Sequence, residues 1–526
     1  MLTAYTSDQI RAAEAALMAR LPEGTLMRRA AFALAVTCAG MLGDVYGSRV
    51  VILVGAGDNG GDALYAGARL AARGARVDAV LAGARVHEAG LAALRGAGGR
   101  VTDVRGAAPA RERAVSPEAG PSPEKAAIQG GGASEGGPGD GWGATVRDLV
   151  RGADLVMDGL VGIGGTGALR EPYATLADLT GDAPGAVVAV DVPSGVDASS
   201  GRVEGAAVRA DVTVTFGARK VGLLVDPGAE HAGRVELVDI GLGPYLPDPG
   251  VSAPTGADVA ALLPRPGAGS DKYSRGVVGV AAGSRSYTGA AVLAVGGAIR
   301  AGAGMVRYAG VAEPVAQVRA RWPEAVITEL EPGEGVDRVD RVQAWVLGPG
   351  LGTGPEALAL VRSVLASDVP VLVDADALTL AARDGALLRR TAPVLITPHA
   401  GELSRLLGVP RARIEAGRLE HVRRAAADLG VTVLLKGSTT LVAEEGLPVR
   451  VNLTGSPWLA TAGTGDVLAG LAGALLAAGL GGYDAASCAA YLHGLAGRHG
   501  PLAAGDVLKA LPGVVGSVAD RHGHGP

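Results

Sequence analysis

Three short runs in the first half of the sequence carry acids that could share one site. Gly55-Ala-Gly57-Asp58-Asn59-Gly60-Gly61-Asp62 follows the apolar run 50–54 and opens a helical stretch. Its glycines would let backbone N–H groups approach a pyrophosphate at a helix N-terminus. With Asp78 downstream, the GxGxxG pattern is also what a dinucleotide-binding dehydrogenase carries. Asp58, Asn59 and Asp62 point elsewhere. Carboxylates in a phosphate cradle repel the phosphates unless a cation intervenes, and Asp, Asn and carbonyl oxygens suit a hard cation. The second run, Asp154-Leu-Val-Met-Asp158-Gly159 followed by Leu-Val-Gly162-Ile163-Gly164-Gly165-Thr166-Gly167, is a strand that ends in an acid and a glycine loop. The third, Val187-Val-Ala-Val-Asp191-Val-Pro-Ser194, again delivers an acid at a strand's end. In a parallel sheet these ends lie on one edge, so Asn59, Asp158, Asp191 and Ser194 are expected to converge. Taken singly, each acid could equally be a turn or a helix cap.

The second half has its own set. Lys272-Tyr-Ser-Arg-Gly276 leads into a strand, a glycine turn and Tyr287-Thr-Gly-Ala290. Then come Gly348-Pro-Gly350-Leu-Gly352, Asp374-Ala-Asp376-Ala-Leu378, Thr397-Pro-His399-Ala-Gly-Glu402, Lys436-Gly437-Ser438-Thr439-Thr440 and Ala462-Gly-Thr-Gly465-Asp466. The last run opens an apolar helix, so its backbone N–H groups can face an anion while Asp466 reaches a substrate hydroxyl as a base. Lys436 could hold a phosphate as a point charge. His399 is placed to line a pocket, although a lone histidine is often structural.

These residues need elements to hold them. Apolar runs at 50–54, 77–81, 154–158, 186–191 and 211–216, and again at 276–282, 342–347, 370–374, 393–397 and 431–435, alternate with helical stretches. That pattern predicts buried parallel strands covered on both faces. An amphipathic helix capped by Ser7, with Ile10, Ala13, Ala16 and Leu17 on its apolar face, precedes them. The helix following Asp466 is apolar enough to be buried. Residues 242–255 break both periodicities, which predicts an α/β domain over 1–245 and a second over 253–526. Residues 104–142, rich in Gly, Pro, Ala, Ser and charge, are expected to be a mobile insertion.

The first half resembles the NAD(P)H-hydrate epimerase domain, on the Gly-Asp-Asn-Gly-Gly-Asp loop, the Asp158 segment, Asp191-Val-Pro-Ser-Gly-Val-Asp197, Thr213-Val-Thr-Phe-Gly-Ala-Arg-Lys220 and Val238-Asp-Ile-Gly241. The family pattern reads Asn-Asn-Gly-Gly-Asp-Gly, so Asp58 and Ala63 depart from it. The resemblance implies a Rossmann-like fold and a potassium ion on Asn59, Asp158 and Ser194. It also implies hydrate contacts from Asp58, Asn59, Gly60, Gly61, Asp62, Gly162, Ile163, Gly164, Gly165, Thr166, Gly167, Ala168 and Asp191. The reaction implied is exchange of the R and S hydroxyl epimers at C6 of the hydrated ring. Asp191 is expected to do its acid–base work.

The second half resembles the ribokinase-like superfamily, and more closely the ADP-dependent NAD(P)H-hydrate dehydratase, on its runs taken in order. That resemblance implies hydrate contacts from Ala290, Gly352, His399 and Asp466, and ADP or AMP contacts from Lys436, Gly437, Ser438, Thr439, Thr440 and Gly465. Magnesium would accompany ADP, with Asp466 as the base that activates the C6 hydroxyl. Together the halves read as two successive three-layer α/β domains.

Composition narrows the alternatives. The formal net charge is −5, so no global field favours nucleic acid or an anionic membrane. Two distant cysteines, Cys38 and Cys488, indicate neither a disulfide framework nor a zinc site. With no continuous apolar leader, a cytoplasmic protein is expected. Its expected partners are small molecules and further copies of itself. Two rival readings are a small-molecule kinase fused to a regulatory nucleotide-binding domain, and a first half reduced to a binding module.

Overall fold

A computed structural model describes residues 1–105 and 142–521, so most of the expected insertion 104–142 lies outside the described residues. By internal packing the chain divides into two units. One comprises Thr6–Leu223 and Gly228–Leu246; the other comprises Pro247–Pro526 together with Met1–Tyr5 and Leu224–Pro227. The division read from sequence, 1–245 and 253–526, thus leaves two short segments of the first stretch with the second unit and starts that unit six residues late.

Among the described residues the N-terminal unit has a seven-stranded parallel sheet. Its order across the sheet is Arg100–Asp103, Arg76–Leu81, Arg49–Val54, Leu155–Gly159, Ala186–Val190, Val212–Phe216 and Arg234–Val238. In chain order this is third, second, first, fourth and onward, the Rossmann arrangement. Direction across the sheet reverses between Arg49–Val54 and Leu155–Gly159, and the crevice at such a reversal is where open α/β sheets bind ligands. Both strands are buried on both faces apart from Arg49, which explains their unbroken apolar runs.

The C-terminal unit repeats the same logic. Val326–Glu329, Met305–Gly310, Val277–Ala281, Ala344–Leu347, Val371–Val373, Val394–Ile396 and Thr432–Leu435 are parallel neighbours in that order, and the reversal falls between Val277–Ala281 and Ala344–Leu347. Thr440–Ala443 and Val449–Asn452 then continue the sheet antiparallel. Val251–Ala253 pairs parallel with Val449–Asn452, and Leu2–Tyr5 pairs antiparallel with Val251–Ala253.

Few aromatics are available, so the interior is closed by small residues. Helix Thr464–Ala477 lies so close to helix Thr288–Arg300 that a Cβ on Gly297 would sit 2.4 Å from the Val467 carbonyl oxygen. Every residue of that helix from Val467 to Ala477 is buried, as its apolar sequence predicts. The first helix, Ser7–Met18, is capped by Thr6 rather than by Ser7. The Thr6 hydroxyl accepts from Gln9 N and the Gln9 side chain accepts from Thr6 N, a reciprocal capping box. Ile10, Ala13 and Leu17 are buried along it, whereas Ala16 faces solvent. Helix Thr25–Leu42 is long and apolar enough to cross a membrane by length and composition. Ala30, Ala31, Leu34, Ala35, Cys38 and Ala39 nevertheless recur at helical spacing as its buried face, packed on helix Asp58–Ala71.

Candidate functional sites

In the N-terminal unit the loops after the two reversal strands touch. Gly55 is held against the Leu160 carbonyl, where an added Cβ would lie 1.7 Å from that oxygen. Only glycine fits there. Asp58 is exposed in the first turn of helix Asp58–Ala71, and the helix carries Asn59, Gly60, Gly61 and Asp62 inward. Ala63 fills the space opposite Gly159, since a Cβ on Gly159 would approach the Ala63 Cβ to 2.7 Å. The departure at Ala63 is therefore a packing contact. Nothing in the structure explains Asp58.

Asn59, Asp158 and Ser194 do converge. Ser194 donates from its hydroxyl to Asp158 Oδ1 at 2.7 Å and from its backbone N–H to Oδ2 at 2.8 Å. Leu160 N also donates to Oδ1. Asn59 donates to the Val190 carbonyl at 2.6 Å, and an added Cβ on Gly162 would meet Asn59 Oδ1 at 2.4 Å. Burial pushes the Asp158 carboxyl up to about 6 against the pull of the Ser194 hydrogen bonds. A buried carboxylate beside amide and hydroxyl oxygens is a fitting donor set for a monovalent hard cation. Among the described residues no group of three or more His, Cys, Asp or Glu is arranged to hold a metal ion.

Asp191 stands at the next strand end with φ at +68°, a left-handed conformation rare outside glycine and asparagine. Its Oδ1 accepts from Phe216 N at 3.0 Å, from Thr215 Oγ1 at 3.3 Å and from Lys220 Nζ. Lys220 is 1% exposed and donates also to Thr215 Oγ1 and the Phe216 carbonyl. Its role was not legible in sequence, although a lysine is rare here: only five occur in the chain. Asp62 lies near this pair. One of its carboxyl oxygens is buried without a hydrogen-bond partner, and burial, with Asp191, Asp58 and Glu14 adding to it, holds the carboxyl well above the usual carboxylate range. Two carboxyls in such different surroundings, one paired with a lysine and one buried without a partner, are what acid–base catalysis can use. Of the 162–168 loop, Gly165, Thr166, Gly167 and Ala168 line a cavity of about 360 Å³ with Arg170 and Tyr173, and Arg11 donates to the Ile163 carbonyl at the loop's start.

In the C-terminal unit, Gly348, Gly350 and Gly352 all take positive φ, and the loop they form passes under Ala290. Asp376 accepts from Gly352 N at 2.8 Å, fixing the loop's far end. Ala290 and Gly352 are thereby on one edge. His399 caps helix Ala400–Leu407: its Nδ1 accepts from Gly401 N and Glu402 N, so the neutral ring carries its proton on Nε2. Burial, opposed by Glu402 and aided by Lys436, lowers its proton affinity. Half the ring remains exposed, with Nε2–H available as a donor.

Asp466 sits in the first turn of helix Thr464–Ala477 behind Gly463, whose φ is +89°. Beneath the turn the buried His493 contacts the Thr464 carbonyl at 2.9 Å. Burial, then the nearby Asp374, pushes the Asp466 carboxyl up to about 7, with Lys436 pulling the other way. Lys436 is not a free phosphate anchor. Its Nζ donates to Asp374 Oδ1 at 2.7 Å and lies 3.8 Å from Glu402, and it sits beside Gly465. Burial works against its charge, but Asp374 and Glu402 more than offset this. Gly437 and Ser438 are exposed next to it; the amide of Thr439 is engaged by Asp226 at 2.7 Å, and the Thr440 hydroxyl donates to the Gly437 carbonyl.

Two sheets, each with acids and glycine loops at its reversal point, define a tandem α/β enzyme with one nucleotide-type site per unit. Comparisons with known proteins make the class specific. A family model described as NAD(P)H-hydrate dehydratase matches residues 278–510, and one described as YjeF-related protein N-terminus matches residues 23–222. The bifunctional NAD(P)H-hydrate repair enzyme Nnr of Mycobacterium leprae is 45% identical over 497 residues, 93% of this chain and 92% of its own. Its namesake from Moorella thermoacetica is 37% identical, covering 70% of this chain and 74% of its own. A solved ADP/ATP-dependent NAD(P)H-hydrate dehydratase from Bacillus subtilis, co-crystallised with ATP and Mg2+, is 32% identical and covers 50% of this chain and 97% of its own, with a TM-score of 0.47. The chain belongs to the bifunctional NAD(P)H-hydrate repair enzyme family.

Proposed function

We propose that the chain returns hydrated NAD(P)H to the working cofactor in two steps, one per unit. The N-terminal unit exchanges the R and S epimers, and the C-terminal unit dehydrates the S epimer at the expense of ADP. The observation that carries this reading is the pair of reversal-point sites, each with a buried carboxyl, Asp62 and Asp466, held above its ordinary range.

Epimer exchange requires the C6 hydroxyl to leave and water to return on the other face. The buried carboxyl of Asp62, held above the usual carboxylate range by burial, can protonate the departing hydroxyl. Asp191, paired with Lys220, can take the proton from the incoming water. A potassium ion on Asn59, Asp158 and Ser194 would supply fixed positive charge that offsets the local excess of acids. The thermal midpoint is then expected to rise when potassium replaces a bulky organic cation at equal ionic strength. The rise should grow as pH passes about 6, where Asp158 ionises. A midpoint indifferent to potassium across that range counts against the assignment.

Dehydration faces a poor leaving group. Asp466 takes the proton of the C6 hydroxyl as its oxygen attacks the β-phosphoryl of ADP; AMP departs, then phosphate leaves C6 as C5 gives up a proton. Magnesium, carried by the phosphates, would neutralise charge on the transferring group. The amides opening helix Thr464–Ala477 face the same group. Lys436 orients Asp374 and lends its charge from beside Gly465. His399 offers Nε2–H to the hydrate. Because Asp466 must be ionised to act, kcat/KM for dehydration is expected to fall tenfold per pH unit below about 7. A rate flat from pH 5 to 8 would exclude Asp466 as the base.

Phosphate and AMP release that depends on added S hydrate tests the function directly. A small-molecule kinase would instead leave the phosphate on its product. A reducing, cytoplasmic setting is part of the proposal, supported by Cys38 and Cys488, both free, buried and pushed up to about 12 by burial.

A further inference from the structure

Residues 436–440 turn the chain from strand Thr432–Leu435 into strand Thr440–Ala443, with Lys436 N on the Pro398 carbonyl at 2.8 Å at one end and Thr440 paired with Asn452 at the other. Two side chains hold what lies between. From helix Arg418–Leu429, the Arg418 guanidinium donates to the carbonyls of Leu435, Lys436 and Thr439 at 3.1 to 3.3 Å. It lies flat on Gly437, where an added Cβ would be 2.3 Å from Arg418 Nη2. The second is Asp226. Its Oδ2 accepts from Thr439 N at 2.7 Å, and its own backbone N–H donates to Thr439 Oγ1 at 3.1 Å. Asp226 is 8% exposed, so this reciprocal clasp is shielded from water. Cation on carbonyls and anion on an amide together fix the direction in which Gly437 and Ser438 present their backbone.

Asp226 lies outside both matched stretches, 23–222 and 278–510, and packs with the C-terminal unit through the short segment Leu224–Pro227. We propose that Asp226 is a positioning residue for the dehydratase: through Thr439 it sets the nucleotide loop 436–440 in the geometry that receives ADP. This rests on the reading of 436–440 as the nucleotide loop. Asp226 itself touches neither ADP nor hydrate. Loss of its carboxylate leaves the Thr439 amide without its acceptor, while the backbone bond to Thr439 Oγ1 remains, and lets the turn rotate about the Arg418 contacts, a misplacement felt by ADP alone.

The test uses the full chain and steady-state kinetics with S hydrate and ADP varied separately. Asp226→Ala is expected to raise KM for ADP about tenfold, the loss of a charge-assisted hydrogen bond, with KM for hydrate and the epimerase rate unchanged. Asp226→Asn keeps an acceptor and loses the charge, so its KM for ADP should fall in between; it also serves if the alanine variant does not fold. Lys436→Met tests the underlying reading. An altered KM for ADP in Lys436→Met with an unaltered one in both Asp226 variants overturns the proposal alone. Unaltered values in all three remove the nucleotide-loop reading, and the proposal with it. A rise in both KM values together would reduce Asp226 to a stabilising contact and also overturn it.

Discussion

Asp466→Asn is expected to lower kcat for ADP-dependent dehydration about a thousandfold while leaving KM for ADP nearly unchanged. A positioned general base is worth about 10²–10⁴ in rate. A value above the bottom of that range applies because burial, with Asp374 beside it, has already tuned the carboxyl to about 7, close to the pH of operation. Asparagine fills the same volume at the start of helix Thr464–Ala477, and the Lys436–Asp374 pair that borders it stays intact. Single-turnover measurement of AMP release separates the chemical step from product release. A variant within tenfold of the parent would mean that the hydroxyl loses its proton elsewhere.

The second large effect belongs to Asp191, and here the structure changes what the sequence leads one to expect. Sequence alone suggests that Asp191→Ala abolishes epimer exchange without disturbing the fold. The buried Lys220 ammonium makes that untenable, because removing its carboxylate strands a charge that is 1% exposed. Breaking such a pair from one side costs about 3–5 kcal/mol. Asp191→Ala should therefore lose exchange and also lower the unfolding midpoint in urea. Adding Lys220→Met to Asp191→Ala should recover much of the stability and none of the activity, which a double-mutant cycle reads directly. Equal stability of Asp191→Ala and the double variant would show that Lys220 is not held by Asp191.

The fold was legible where strands are buried on both faces. The apolar runs at 50–54, 154–158 and 276–282 fall on Arg49–Val54, Leu155–Gly159 and Val277–Ala281. Strands that alternate or stand at edges left no such signal. Arg100–Asp103, Arg234–Val238 and Val326–Glu329 each carry charge at one or both ends and are at most half-buried. Met305–Gly310 is interior but interrupted by Arg307, which pairs with Asp340. Leu2–Tyr5 was missed because its partner, Val251–Ala253, is distant in sequence.

The sites divide the same way. Glycine loops and strand-end acids mark themselves by type and spacing, which is how Asn59, Asp158, Asp191, Ser194 and Asp466 could be named. Their supporting groups do not. Lys220, Asp226, Arg418 and His493 act through contacts 17 to 213 residues apart in sequence, and no local pattern announces that. The apparent dinucleotide fingerprint at Gly55–Gly60 lies beside the cluster of Asp62, Asp191 and Lys220, to which the proposed function gives the chemistry. Asp78, the acid downstream of that fingerprint, lies 3.6 Å from Arg100 on the neighbouring strand.

The claim that both units are active is tested by one incubation. The purified chain is given mixed R and S hydrates with ADP, and the absorbance of reduced nicotinamide is followed to completion. Recovery of the whole hydrate pool, R and S alike and faster than R epimerises unaided, is the result predicted. Recovery that halts once the S portion is consumed would contradict it, leaving a dehydratase joined to an inactive N-terminal unit.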